Sequence, residues 1–333
     1  MPKKRMSTRL RALIECPKIT VAPQAHTALF AMMIEKAGFE AMHIAGNCYM
    51  LRGWPNAGLL SYRDIMDDVT RIVRAVDIPA LADAETGFGS AINVWYTTRE
   101  FILAGAGGIH IEDQEFPPRS GTLAGRRVVS VDEAVGKFCA AMDAKKDLDP
   151  DFVICARTDA CGAEGGSVEE AIRRANIYKK EAGVDCIDIE GIQSWEDAKR
   201  VLKEVEGPVF CVLHDVVDPH PTLEEQEAAG QCLATGGSQG GFYEYVAKQA
   251  AWEALHDFKE RGIGAVQDWL DSRKKNKRRM PSNPEFFDMP HIRRLEQQFL
   301  PSALQRDYAK TSGAMPDGAQ NRPVRARRAP KRK

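Results

Sequence analysis

Several apolar runs in this chain stop at acid. DAETGFG places Asp83 and Glu85 at the end of one run, and GIHIEDQ places Glu112 and Asp113 at the end of another. AGVDCIDIEG closes at Glu190, and Asp215 follows the run that ends in His214. Hard oxygen ligands on neighbouring elements suit Mg²⁺ or Mn²⁺, which bind through one or two carboxylates and waters. Like charges gathered at one place repel unless a cation compensates them. Any one of these acids, taken alone, could instead cap the helix that follows. Arg157, in VICARTDA, joins the set. Its guanidinium could clamp a substrate carboxylate, or form a structural ion pair with Asp159 or Glu190. His110 alternates with Glu112 along one strand, so both can face inward. His110 and His214 flank the same acidic mouth, where a lone histidine is more often packed than catalytic.

Something must bring these ends together. Short Val/Ile/Leu/Cys runs alternate with segments of helical spacing. Strands are predicted in 18–25, 40–46, 79–87, 108–113, 152–160, 186–191, 208–213 and 231–237. The intervening helices include 61–76, with Ser61 as N-cap, and 167–183, with Ser167 and Glu170 spaced as a capping box. Continuous apolar strands alternating with helices are the signature of a parallel sheet buried on both faces. Eight β-α units in about 250 residues are what a (β/α)₈ TIM-type barrel requires, with chemistry at the carboxyl ends of its strands. An open doubly wound sheet is the competing fold, but no GxGxxG opens the first helix. The expected organisation is a basic N-terminal segment or helix over 1–17, a barrel over 18–262, a helical extension over 263–300 and a basic, disordered tail over 301–333.

The composition, 44% hydrophobic and 28% charged, is that of an ordinary globular protein. The net charge of −1 leaves no global field for nucleic acid or membrane, although both termini are basic. The tail RPVRARRAPKRK has no interleaved aromatic residues and no recognition motif, so a solvated segment is the expectation rather than a specific nucleic-acid site. The eight cysteines form no CxxC pair, and several sit within apolar runs, which points to a reducing, cytoplasmic setting. No apolar run reaches the ~20 residues of a membrane span.

DAETGFG, GIHIEDQ, the RSG-containing loop, VICARTDA and AGVDCIDIEG together resemble the isocitrate lyase / phosphoenolpyruvate mutase superfamily, nearest its methylisocitrate lyase and carboxyphosphonoenolpyruvate mutase branch. The resemblance runs in order from about Ser7 to Pro301. It implies an α/β barrel whose C-terminal helices swap between subunits of a homotetramer, a dimer of dimers. It also implies Mg²⁺ and a small 2-oxo or 2-hydroxy carboxylate. Carried over, Asp83, Glu85 and Glu112 hold the metal, Glu85 standing where an aspartate is usual. Arg157 takes the substrate carboxylate. Ala45, Gly46 and Asn47 form the backbone cradle, and Asp83 and Glu190 also face the substrate.

The gating loop departs from the lyase pattern. Lys-Arg-Cys-Gly-His becomes Pro118-Arg119-Ser120-Gly121-Thr122. Arg119 and Gly121 are kept, but Ser120 replaces the thiol, and a hydroxyl without an adjacent base cannot do the thiol's work near neutral pH. Asn56 replaces an aspartate, Val212-Leu213-His214 replaces an Asn-Met-Thr stretch, and Tyr245 stands near an expected arginine.

The leading expectation is therefore a Mg²⁺-dependent lyase that cleaves a C–C bond of a methylisocitrate- or dimethylmalate-like acid through an enolate. Ser120, Tyr49, His214 and water remain open as proton sources. An oxaloacetate-type decarboxylase or a C–P bond mutase or hydrolase is one alternative. A non-catalytic carboxylate-binding relative is the other.

Overall fold

The computed structural model describes residues 5–45, 53, 54, 57–235, 242–273, 276, 278 and 280–306. All eight anticipated strands are present: β1 (Thr20–Val21), β2 (Met42–Ile44), β3 (Ala80–Asp83), β4 (Gly108–Glu112), β5 (Val153–Thr158), β6 (Cys186–Ile189), β7 (Val209–Cys211) and β8 (Leu233–Ala234). Strands β2 to β7 form one parallel sheet in sequential order, and β1 pairs in parallel with β8. A few backbone hydrogen bonds join the two sheets. The Ala25 N–H donates to the His43 carbonyl at 2.7 Å and the His43 N–H to the Pro23 carbonyl at 3.0 Å, while the Cys232 N–H donates to the Val209 carbonyl at 3.1 Å. The strands thus form a curled parallel ring, which removes the open doubly wound alternative.

Two apolar layers follow from the strand period of two. One side chain of each pair faces the surrounding helices; the other faces the ring interior. Leu81, Val153, Cys155, Cys186, Phe210 and Leu233 fill the lower interior, with Leu10 and Ile14 of helix α1 (Met6–Ile14) packed against them. A Cβ on Gly108 would crowd Val153 and come within 3.1 Å of Leu10, so that glycine makes room for the plug. Above this layer the interior turns polar.

The outer helices are α2 (Ala28–Ala37), α3 (Tyr62–Arg74), α4 (Ala91–Ala104), α5 (Val131–Leu148), α6 (Val168–Ile177), α7 (Trp195–Glu204) and α8 (Leu223–Ala228). Hydroxyl caps start most of them. Thr27, Ser61, Ser130, Ser167, Ser194 and Thr222 each accept a backbone N–H three residues on, and each such cap is worth about 1 kcal/mol. Ser61 and Asp64 complete a reciprocal capping box. The box expected at Ser167 is only half made, because Arg173 and Arg174 take the Glu170 carboxylate at 2.7 and 2.8 Å. After α6 the chain widens into a π turn over Tyr178–Ala182, which buries Tyr178 completely.

The chain divides into two compact units, Met1–Ala247 and Lys248–Lys333, and the boundary falls inside α9 (Phe242–Arg261). In the second unit, α10 (Ile263–Arg273), α11 (Asn283–Phe286) and α12 (Met289–Phe299) follow, then a 3₁₀ turn over Ser302–Leu304. The basic tail beyond Arg306 lies outside the described residues. Among the described residues, no helix is long and apolar enough to cross a membrane.

Candidate active site

Parallel register sets the polar layer. Asp83 is level with His110, while Glu112, Arg157 and Asp188 form the next row across β4, β5 and β6. One further period of two along the chain from Asp188 brings Glu190 beyond the end of β6. These six residues line a cavity of about 100 Å³ together with His43, Glu85, Ala45, His214 and the gate residues Pro118 to Thr122. The sequence-predicted Asp83, Glu85, Glu112, Arg157, Glu190, Ala45, Arg119, Ser120 and Gly121 thus meet around one space. Gly46, Asn47, Tyr49 and Asn56 lie outside the described residues. Tyr245 is exposed and does not line this cavity.

The metal-side carboxylates carry the electrostatic mark of an uncompensated cluster. Burial and Asp83 push Glu85 up to about 8 against the pull of Arg157. Burial pushes Glu112 well above the usual carboxylate range, with Asp159, Glu85 and Asp83 adding to it and Arg157 opposing. Glu112 Oε1 is buried without a hydrogen-bond partner. The Glu85 N–H donates to Asp83 Oδ1 at 2.7 Å in a tight turn that holds Glu85 at φ 50°, a left-handed conformation costly for a non-glycine residue. A buried, partnerless carboxylate oxygen beside two more acids fits a hard divalent cation. No three His, Cys, Asp or Glu side chains among the described residues converge into a ready-made cage. That suits an ion that takes one or two carboxylates and keeps its waters.

Arg157 does not present an open fork. Its Nε and Nη2 bond Asp159 at 2.9 and 3.0 Å, and Nη2 reaches Glu112 at 3.1 Å. Asp159 is itself held by Arg126 at 2.9 Å. The alternative of a structural pair with Asp159 is therefore realised. A substrate carboxylate can engage Arg157 only on its remaining edge, which lines the cavity.

Asp113, read from sequence beside the metal acids, belongs elsewhere. It accepts from Thr158 and Tyr178 at 2.7 Å each, from the Asp159 N–H at 3.0 Å and from Arg174 at 3.2 Å. It locks β4, β5 and α6 together on the face away from the cavity. Sequence reading passed over His43 and Asp188. His43 Nε2 meets His110 Nε2 at 3.0 Å, and His110 lies 3.7 Å from Asp83 and 3.6 Å from Asp188. Burial, then like-charge neighbours, hold both imidazoles down to about 3, so they are neutral where they line the cavity.

The gate closes the other side. Gln114 grips the Arg119 backbone twice, at 2.9 Å each, and Arg119 Nη1 reaches the Ala57 carbonyl at 3.4 Å. Ser120 Oγ and Thr122 Oγ1 share a hydrogen bond at 2.9 Å. Gly121 rests on Glu190 so closely that a Cβ there would overlap the carboxyl group. Glu190 also accepts from His214 Nε2 at 2.5 Å and from the Gly191 N–H at 3.1 Å. Burial opposes its ionisation, yet the His214 bond and Arg157 hold it down to about 2.

The chain is similar to several known proteins. A family model described as phosphoenolpyruvate phosphomutase matches residues 10–250. The 2,3-dimethylmalate lyase of Eubacterium barkeri is 40% identical over 203 residues, spanning 60% of this chain and 68% of the relative. Among solved structures, oxaloacetate acetylhydrolase in complex with 3,3-difluorooxalacetate superposes with a TM-score of 0.77 at 26% identity, covering 89% of this chain and 98% of the other. Phosphonopyruvate hydrolase in complex with oxalate and Mg²⁺ superposes with a TM-score of 0.74 at 27% identity, covering 90% and 100%.

Proposed function

The chain belongs to the phosphoenolpyruvate mutase / isocitrate lyase superfamily, and from that premise we propose a Mg²⁺-dependent lyase that cleaves the C2–C3 bond of a small 2-hydroxy dicarboxylic acid. The observation that carries the reading is the shared cavity of about 100 Å³. Asp83, Glu85, Glu112 and Arg157 line it together with the gate residues Pro118 to Thr122.

Asp83, Glu85 and Glu112 would hold the ion, directly or through water. Bound Mg²⁺ supplies charge stabilisation of the 2-oxygen and the neighbouring carboxylate as the bond breaks. Arg157, fixed by Asp159, directs its remaining edge at that carboxylate and keeps it in register with C2. The gate excludes water while the departing carbon carries an enolate. The experiment is direct: incubate the protein and Mg²⁺ with 2,3-dimethylmalate and 2-methylisocitrate and assay 2-oxo acid. Absence of product from a broad hydroxy-acid panel would sink the reading.

A second reading is decarboxylation of a 2-oxo dicarboxylate such as oxaloacetate. It is favoured by the hydroxyl pair Ser120–Thr122 where lyases carry a thiol, because enolate formation from a 2-oxo acid needs no acid on the loop. CO₂ release from oxaloacetate separates the two.

The assembly belongs to the same proposal. A groove of about 940 Å³, lined by Phe30, Met33, Ile34, Leu213, Leu223 and Tyr243 among others, lies where a barrel's eighth helix packs. Helix α9 exposes Trp252, Leu255 and Phe258. A C-terminal helix from a second copy, within a tetramer built as a dimer of dimers, fits this groove. A cytoplasmic location accords with the reduced cysteines.

A further inference from the structure

On the reading that this chain cleaves a C–C bond, we infer that the proton returned to the departing carbon is delivered by a Glu190–His214 relay and not by the gate. The gate holds no acid suited to the task. Its two hydroxyls bond each other, and no lysine, histidine or carboxylate stands between Pro117 and Gly125. The wall beneath it holds a connected pair. His214 Nε2 lies 2.5 Å from Glu190 Oε1, and Glu190 is only 3% exposed. The His214 side chain is 15% exposed. Both members of the pair line the cavity that the metal acids line, and His214 is the more exposed of the two.

Glu190 Oε1 is fully engaged by His214 and the Gly191 N–H. Oε2 lies 4.0 Å from Arg157 Nη2, and Glu190 lines the cavity. Gly121 can settle on this carboxyl because it has no side chain, which places the gate directly against Glu190. The other titratable or charged groups around the pair are Arg157 on β5, Arg126 near Gly191, Asp188 on β6 and His110 on β4. With Arg157 and His214 disfavouring a protonated Glu190, a proton passed to that carboxyl is strongly acidic and moves on to carbon.

The step balances. The 2-hydroxyl gives its proton to a carboxylate of the metal-side set, which releases it to solvent when the gate opens, and its oxygen becomes the carbonyl of the 2-oxo acid. The C2–C3 electron pair passes to C3, delocalised onto the adjacent carboxylate. C3 takes a proton from Glu190, Glu190 takes the His214 proton, and His214 is recharged from solvent. Nothing is oxidised or reduced.

The test uses the full-length chain with Mg²⁺ and 2,3-dimethylmalate and compares wild type with His214→Gln and His214→Ala. A positioned acid contributes about 10²–10⁴-fold. The relay predicts that kcat falls at least ~100-fold in both variants with KM within about threefold. It also predicts that the alkaline fall of the wild-type kcat–pH profile is lost, and that added imidazole restores kcat in His214→Ala but not in His214→Gln. Glutamine can keep the bond to Glu190 and still carries no exchangeable proton of the right acidity, so it separates relay from support. A wild-type kcat and pH profile in His214→Gln, a loss confined to KM, or no imidazole rescue of a folded His214→Ala overturns the relay alone. A wild-type protein inert on the whole hydroxy-acid panel removes the lyase reading and the relay with it.

Discussion

Gly121→Ala is the sharpest probe of the closed gate. The new Cβ would stand 2.8 Å from Glu190 Cγ, besides overlapping the carboxyl itself. Carbon atoms rest at about 3.5–4.0 Å, so gate or carboxylate must yield by roughly 1 Å. A displacement of that size at a reacting geometry costs about 10²-fold, or ~2.7 kcal/mol of transition-state stabilisation. The backbone at Gly121 does not require a positive φ, so the penalty is contact and not conformation. The assay is kcat/KM for Mg²⁺-dependent 2-oxo acid formation, run beside Gly136→Ala. Gly136 lies in α5 with open space around its absent Cβ. Alanine there should leave activity intact and add up to about 1 kcal/mol of stability. Gly121→Ala with wild-type kcat/KM would refute the contact between gate and Glu190 as a requirement for turnover.

Three further outcomes follow from the same geometry. Glu85 sits at about 8 when folded against an ordinary value of 4.5. The folded, metal-free chain therefore holds a proton across that window that the unfolded chain has lost, and its stability falls as pH rises through it. Mg²⁺ should displace this proton, so calorimetry in buffers of different ionisation enthalpy will show proton release and an affinity that rises towards pH 8. Asp113→Asn removes the carboxylate that Arg174, Tyr178 and Thr158 share while Glu170 still pairs Arg174, which should cost about 1–3 kcal/mol in urea unfolding, while Mg²⁺ affinity of the folded protein stays unchanged. Light scattering should find the wild type as an oligomer and Trp252→Glu in smaller species; a monomeric wild type would refute the swapped helix.

Much of this site was legible in the sequence because the barrel interior obeys two short rules. Buried parallel strands read as apolar runs, so all eight were visible, and the site had to gather at their ends. Alternation then placed His110 and Glu112 inward together. The same alternation puts Asp113 on the opposite face, where Thr158, Arg174 and Tyr178 meet it. It likewise puts Asp188 inward two residues before Glu190, and Asp159 on the same side as Arg157. These signals were present in the spacing. The contacts of the gate were not. That Gln114 grips Arg119, that Gly121 rests on Glu190 and that His214 completes the carboxylate's bonding depend on how a loop folds back over distant strands. No local period encodes that.

The central claim is that the acids Asp83, Glu85 and Glu112, with Arg157 opposite a closed gate, make a metal-assisted C–C lyase. The most direct measurement is 2-oxo acid release from 2,3-dimethylmalate and related 2-hydroxy dicarboxylates, with Mg²⁺ and again after chelation. The account predicts product with Mg²⁺, none with chelator, and recovery when the ion is returned. Mg²⁺ binding without 2-oxo acid from any member of the panel, or turnover indifferent to the chelator, would contradict it.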